Sequence, residues 1–134
     1  ILYSEIRDYN FQFTIILGIN IDNGKTSKEV LLTGNSQNVY VSKKNIYTTY
    51  TMHPAWFGER FGEEEKTIIN KISIDEESIE YVATGEVSGH ILNQFSMDEF
   101  NDYFRIATTL GEVWNSDPED LSQNNLYILH LSFQ

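Results

Sequence analysis

The stretch Gly85–Thr109, GEVSGHILNQFSMDEFNDYFRIATT, holds most of the side chains whose types and spacing could do chemistry. Asp98, Glu99 and Asp102 place three carboxylates within five positions. Such oxygens could begin a site for a hard cation such as Ca2+, which takes roughly six to eight oxygen ligands. Their spacing is not that of an EF-hand loop, and a solvated acidic turn is the commoner arrangement. His90, Asn93 and Gln94 bring an imidazole and two amides that could hydrogen-bond a polar ligand. The same groups could instead satisfy the backbone of an irregular buried connection, because buried polar groups need partners.

Other signals are weaker. His53, His90 and His130 are far apart in sequence and form no HxH or HExxH pattern, so a zinc site is not expected. Gly85-Glu86-Val87-Ser88-Gly89 is one residue out of step with the GxSxG nucleophile elbow. Trp56 and Phe57 lie beside His53, and Trp114 lies near Glu112, in two polar inserts. Aromatics on loops can stack on sugar rings or anchor a protein partner, and they can equally cap a sheet edge. The run Glu63-Glu64-Glu65 reads as a solvated loop, and Asp98–Arg105 has room for an internal ion pair.

The chain that must position these groups has 134 residues, the size of one ordinary domain. Hydrophobic residues make up 40% and aromatics 13%, which separates it from disordered sequences. The net charge of −11 disfavours nucleic acid, since phosphate recognition needs a basic surface. It also disfavours anionic membrane surfaces; solubility is the simplest role for it, with divalent cations or cationic partners as the others. The absence of cysteine excludes disulfides and thiolate metal sites and leaves the compartment open. No run approaches the roughly 18 apolar residues of a membrane span. The chain opens ILYSEIRDYN, without an initiator Met, basic n-region or cleavage signal, and ends LYILHLSFQ within an alternating run. That pattern predicts an internal piece of a longer protein.

Tyr, Phe, Ile, Val and Thr are frequent and Ala is scarce, a composition that suits pleated, half-buried strands. Alternation predicts strands over 11–22, 29–33, 39–42, 46–51, 67–75 and 79–84. Asn23-Gly24-Lys25 separates the first two as a turn, because Asn and Gly tolerate positive φ. Gly34-Asn35-Ser36, Lys43-Lys44-Asn45 and Glu76-Glu77-Ser78 separate others, and a short helix is expected near Asp117–Leu121.

Two of these strands are copies. Thr14–Asp22 reads TIILGINID and Thr67–Asp75 reads TIINKISID, identical at six of nine positions and offset by 53 residues. Each leads through a turn to a Thr-Gly stop, VLLTG at 30–34 and YVATG at 81–85, now offset by 51. VYVSKKNIYTTYT (39–51) then faces FSMDEFNDYFRIATT (95–109), each followed by a Trp-bearing insert, and NLYILHLS (125–132) begins a third copy. A period of about 50 residues built from four strands is the signature of a β-propeller blade. Labelling the strands of a blade a to d, the chain runs c, d, then a, b, c, d, then a, b, c, with repeat units at roughly 11–34, 39–85 and 91–133. The fold expected is therefore all-β and antiparallel, about nine strands, with one complete four-stranded blade flanked by partial blades. A lipocalin-like barrel is weakened by the repeat.

NVYVSKKNIYTTYT, KTIINKISI followed by IEYVATGEVSGHILNQFSMDEF, and YFRIATT followed by NNLYILHL resemble the secreted β-propeller family of archaea and some bacteria. The similarity runs from about Gly34 to Leu131, with GEVSGHILNQFSMDE its most specific part. It implies a propeller at the cell surface or outside the cell, and it brings no catalytic residues with it. The chain is far shorter than a closed ring of blades. The leading expectation is a non-catalytic scaffold for a protein or glycan partner, with His90, Asn93, Gln94, Trp56 and Trp114 as candidate ligand-binding residues. The alternative is a metal-dependent, Ca-type hydrolase or ligand-binding propeller that uses Asp98, Glu99 and Asp102. Open sheet edges in so short a piece predict dimerisation or strand exchange.

Overall fold

The computed structural model describes residues 2–3, 12–33, 36–53, 65–76, 78–111 and 122–130. Among them are ten strands: β1 (Leu2–Tyr3), β2 (Gln12–Ile19), β3 (Thr26–Thr33), β4 (Asn38–Val41), β5 (Asn45–Met52), β6 (Lys66–Ile74), β7 (Ile79–Ser88), β8 (Met97–Phe100), β9 (Tyr103–Leu110) and β10 (Gln123–Leu129). A 3-10 turn, Gln94–Ser96, precedes β8. The helix expected near Asp117–Leu121 falls outside the described residues.

The strands form three sheets: β1-β3-β2, a central β4-β5-β6-β7, and β10-β9-β8. Every pairing is antiparallel except that of β1, which runs parallel to β3 through Leu2–Leu31 and Tyr3–Leu32. One four-stranded blade flanked by two incomplete ones is the architecture that the repeat predicts. Only β1 has no counterpart in the expected c, d, a, b, c, d, a, b, c order.

Alternation builds the layers, because successive side chains of a strand point to opposite faces. In the central sheet Tyr47, Ile69 and Val87 point to one side and pack with Met97, Phe104 and Ile106 of the third sheet. Ile46, Ile72, Ile79 and Tyr81 point to the other side and pack with Ile16 and Leu31 of the first. Ile68, Ile69, Ile72 and Ile106 are wholly buried, so the middle blade is sealed on both faces.

Turn chemistry fixes the hairpins. Asn20 Oδ1 accepts from the backbone N–H groups of Asp22 and Asn23, and Gly24 takes φ +70°. Asn101 and Asp102 take φ +51° and +64° between β8 and β9, a conformation that Asn and Asp tolerate better than most residues. The expected stop at Thr84-Gly85 does not end β7. Gly85 pairs with Ile69 in the β6 register, and the strand continues to Ser88. The ladder with β6 outweighs the low strand preference of a lone glycine.

Candidate functional site

The pairing register brings three strand ends together. Met52 faces Lys66, and Lys66 faces Ser88, so β5 finishes, β6 starts and β7 finishes along one line at one rim of the central sheet. The residues just beyond these ends are His53, Glu65 and Gly89-His90. His53 Nδ1 lies 2.7 Å from Glu65 Oε1, and His90 Nδ1 lies 2.7 Å from Glu65 Oε2. One carboxylate thus holds two imidazoles that are 37 residues apart in sequence. An ionised carboxylate only accepts, so each ring donates through Nδ1 and leaves Nε2 as its remaining polar atom. The Glu65 side chain is 17% exposed, against 67% for His53 and 39% for His90. The rim therefore presents two oriented imidazoles above a shielded anion.

The backbone beneath is tightly braced. Gly89 N–H donates to the Glu65 carbonyl at 2.7 Å, and Thr67 Oγ1 donates to the Gly89 carbonyl at 2.6 Å. His90 and Thr109 exchange both backbone hydrogen bonds, at 2.9 and 2.8 Å, which ties the crossover to the end of β9. Thr108 Oγ1 donates to the Ser88 carbonyl at 2.7 Å. Gly89 has φ +86°, and a Cβ there would lie 2.5 Å from the Thr109 carbonyl oxygen. Only glycine fits.

Beyond His90 the crossover turns over Asn93, whose Oδ1 accepts from Phe95 N–H at 2.9 Å and caps the 3-10 turn. Asn93 therefore serves the backbone. Gln94 is exposed, next to Phe95 at 87% exposure and near Leu92 at 85%. Of the expected ligand-binding residues, His90 joins the rim cluster, Gln94 lies open on the crossover, and Trp56 and Trp114 fall outside the described residues. The flanks of both Trp-bearing inserts do reach this rim: His53 and Glu65 bound the first, and Thr109 is bonded to His90 just before the second.

Asp98, Glu99 and Asp102 lie at the opposite end, on β8 and its turn, and are not brought together. Alternation along β8 sends Asp98 and Glu99 to opposite faces. Asp98 pairs with Arg105 through both oxygens, Oδ1 accepting from Nε at 2.7 Å, and this bond holds the guanidinium above its usual pKa. Glu99 turns inward and accepts from Asn45 Nδ2 at 2.9 Å and Ser42 Oγ at 3.0 Å. Burial first, and then the hydrogen bond to Glu99, push the Tyr47 hydroxyl well above the usual tyrosine range. Asp102 lies 3.9 Å from Lys44 at the surface. Among the described residues no group of three His, Asp or Glu is arranged to hold a metal ion.

The sequence reading missed His53 and Glu65 as partners of His90. Glu65 was expected in a solvated loop with Glu63 and Glu64, yet it is the shielded centre of the cluster. The signal was positional: His53 and Glu65 are the first residues outside two strands that pair in register.

The family model of the beta propeller domain matches residues 1–134. An uncharacterised protein of Methanocaldococcus jannaschii is 51% identical over 71 residues, 53% of this chain and 10% of that protein. An uncharacterised protein of Archaeoglobus fulgidus is 40% identical over 67 residues, 50% of this chain and 9% of that protein. The matched part thus spans about a tenth of the length of these curated relatives. No solved structure matches the chain. Among the described residues no helix is long and apolar enough to cross a membrane.

Proposed function

Because the chain belongs to the beta propeller domain family, we propose that it is a non-catalytic interaction scaffold that engages a protein or glycan partner through the rim of its blades. The convergence of His53 and His90 on Glu65 carries this reading. Propellers serve as platforms for partners, with variable connections held on rigid sheets. Here the rim joins two oriented imidazoles, the exposed Leu92 and Phe95, and the flanks of the two segments that carry Trp56 and Trp114. Polar groups beside exposed aromatic and aliphatic groups suit a sugar face or a protein side chain. A place at the cell surface or outside the cell is part of the proposal, on the strength of the family resemblance. Self-association of the isolated unit, as a dimer or by strand exchange, belongs to it too, since among the described residues β2 and β10 are edge strands of their sheets.

The test is an immobilised-glycan screen paired with an immobilised-peptide screen, repeated with His90→Ala, Glu65→Gln and Asp98→Asn. Binding lost with the two rim variants and kept with Asp98→Asn supports the rim. Binding that survives both rim variants, or that fails with Asp98→Asn alone, places the partner elsewhere.

A further inference from the structure

The repeat relates the three sheets residue by residue. Thr14–Asp22 aligns with Thr67–Asp75, which makes Ile15, Ile16 and Ile19 the counterparts of Ile68, Ile69 and Ile72. The register extends the equivalence to β10, where Leu126 faces Ala107 of β9 as Ile69 faces Thr49 of β5. Equivalent residues have opposite fates. Ile68 and Ile72 are wholly buried in the central sheet, whereas Ile15 and Ile19 are 66% and 61% exposed. Ile69 is wholly buried against the third sheet, whereas Leu126 is 67% exposed and Ile128 beside it 61%.

The two internal seams define which face mates with which. The Ile68/Ile72 side of the central sheet lies toward the Ile16 side of the first sheet, and the Ile69 side lies against the third. The first sheet thus exposes the kind of face that is covered at both seams. The third exposes, around Leu126, the kind of face that covers it. Phe13, Ile15, Leu17 and Ile19 run in line along β2, each more than half exposed, and a continuous apolar stripe of this kind marks a surface that meets a partner.

We propose that the 134-residue chain associates with itself head to tail, the outer face of β8–β10 of one copy stacking on the outer face of β2–β3 of the next. A second copy is the partner because it carries both halves of the seam and reproduces a packing the chain already makes twice. The contact is heterologous, so association continues until the rotation closes a ring. It differs from strand exchange: each sheet keeps its own strands and buries a face, not an edge. The inference rests on the self-association part of the proposed function and is independent of the rim, since neither face includes His53, Glu65 or His90.

Two variants separate the possibilities. Ile15→Lys with Ile19→Lys blocks the first face, and Leu126→Lys with Ile128→Lys blocks the second; these side chains are exposed, so folding is checked simply by circular dichroism. In sedimentation velocity the unaltered chain is expected to gain mass as concentration rises. Each variant alone is expected to be a monomer, and an equimolar mixture is expected to stop at a one-to-one dimer. A monomeric unaltered chain, self-association by either variant alone, or a mixture that stays monomeric overturns the proposal. Because the chain has no cysteine, a second measurement is available. Ile15→Cys mixed with Leu126→Cys should give the mixed disulfide well above the homodimers under mild oxidation. A statistical yield, with the mixed product only twice each homodimer, also overturns it.

Discussion

On one face of β5–β7, Ile46, Ile72 and Ile79 meet Ile16 and Leu31; on the other, Tyr47, Ile69 and Val87 meet Met97, Phe104 and Ile106. The first seam is mainly aliphatic, although Tyr81 also packs against it. Its register rests on close approach, for a Cβ on Gly18 would come within 2.6 Å of Ile79 Cδ1, and on Ile79 N–H donating to Ser27 Oγ at 3.0 Å. The second seam is aromatic and directional. Tyr47 and Phe104 stack at 4.1 Å and 16°, Tyr40 lies tilted against both, and Glu99 reaches across to Ser42 and Asn45. Aliphatic surfaces attract without direction, whereas stacked rings and charge-assisted hydrogen bonds fix orientation. The repeat thus specifies where sheets stack, and the side chains between them specify how firmly each seam is aligned.

The largest effect should fall on the aromatic seam. Phe104→Ala removes the stacking partner of a wholly enclosed ring and should cost about 3–5 kcal/mol, against about 0.5–1.5 kcal/mol for Ile72→Val across the sheet. Urea unfolding with an unchanged slope reads both as stability differences. A loss for Phe104→Ala well below about 3 kcal/mol would show that its ring is not held in a closely packed seam.

Glu99 sharpens the comparison next. Glu99→Ala leaves the amide of Asn45, which is 8% exposed, without its acceptor, and should cost about 1–3 kcal/mol. Asp98→Ala breaks a pair whose two side chains are 48% and 39% exposed and should cost about 0–1 kcal/mol. Neighbours in sequence then differ in energy because the pleat sends one into the seam and the other to the surface. The same placement argues that Ca2+ or EDTA will leave the melting temperature unmoved, which a thermal shift assay checks directly.

Much of this was legible beforehand. TIILGINID and TIINKISID carry the repeat in plain view, and their alternation names the faces that Ile68 and Ile72 bury. Placing Asp98 and Glu99 beside a turn hid their divergence; placing them on a strand would have revealed it. The His53–Glu65–His90 cluster was not legible, because it depends on three strand ends coming level. Register is a property of pairing across the sheet, and no single strand encodes it. The run through Gly85 has the same origin, since pairing with β6 decides where β7 stops.

Tyr47 adds a pH test of the aromatic seam. Its hydroxyl is held neutral in the folded state above the value of 10.0 expected of a free tyrosine. Above that pH the unfolded chain loses a proton that the folded chain keeps, so stability falls as pH rises, by up to about 1.4 kcal/mol per pH unit for this group. Below pH 10.0 both states keep the proton and the contribution is flat. Tyr47→Phe should make the alkaline fall in urea-derived stability shallower; an unchanged slope would mean that the hydroxyl is not enclosed by the seam.

The smallest effect separates the polar groups of the two seams. On the aliphatic side Thr48 and Asn70 face each other across β5 and β6, 1% and 2% exposed. Thr84 Oγ1 donates to Asn70 Oδ1, while Thr48 Oγ1 and Asn70 Nδ2 have no partner among the described residues. An unpartnered buried hydroxyl costs its desolvation and returns nothing, the reverse of Glu99, whose oxygens are satisfied across the seam. Thr48→Val keeps the β-branched shape that suits a strand and removes the orphaned oxygen. It should raise stability by up to about 1 kcal/mol in the same urea titration. A loss of stability would mean that this hydroxyl has a partner in solution, and the aliphatic seam would then need a polar tie of its own.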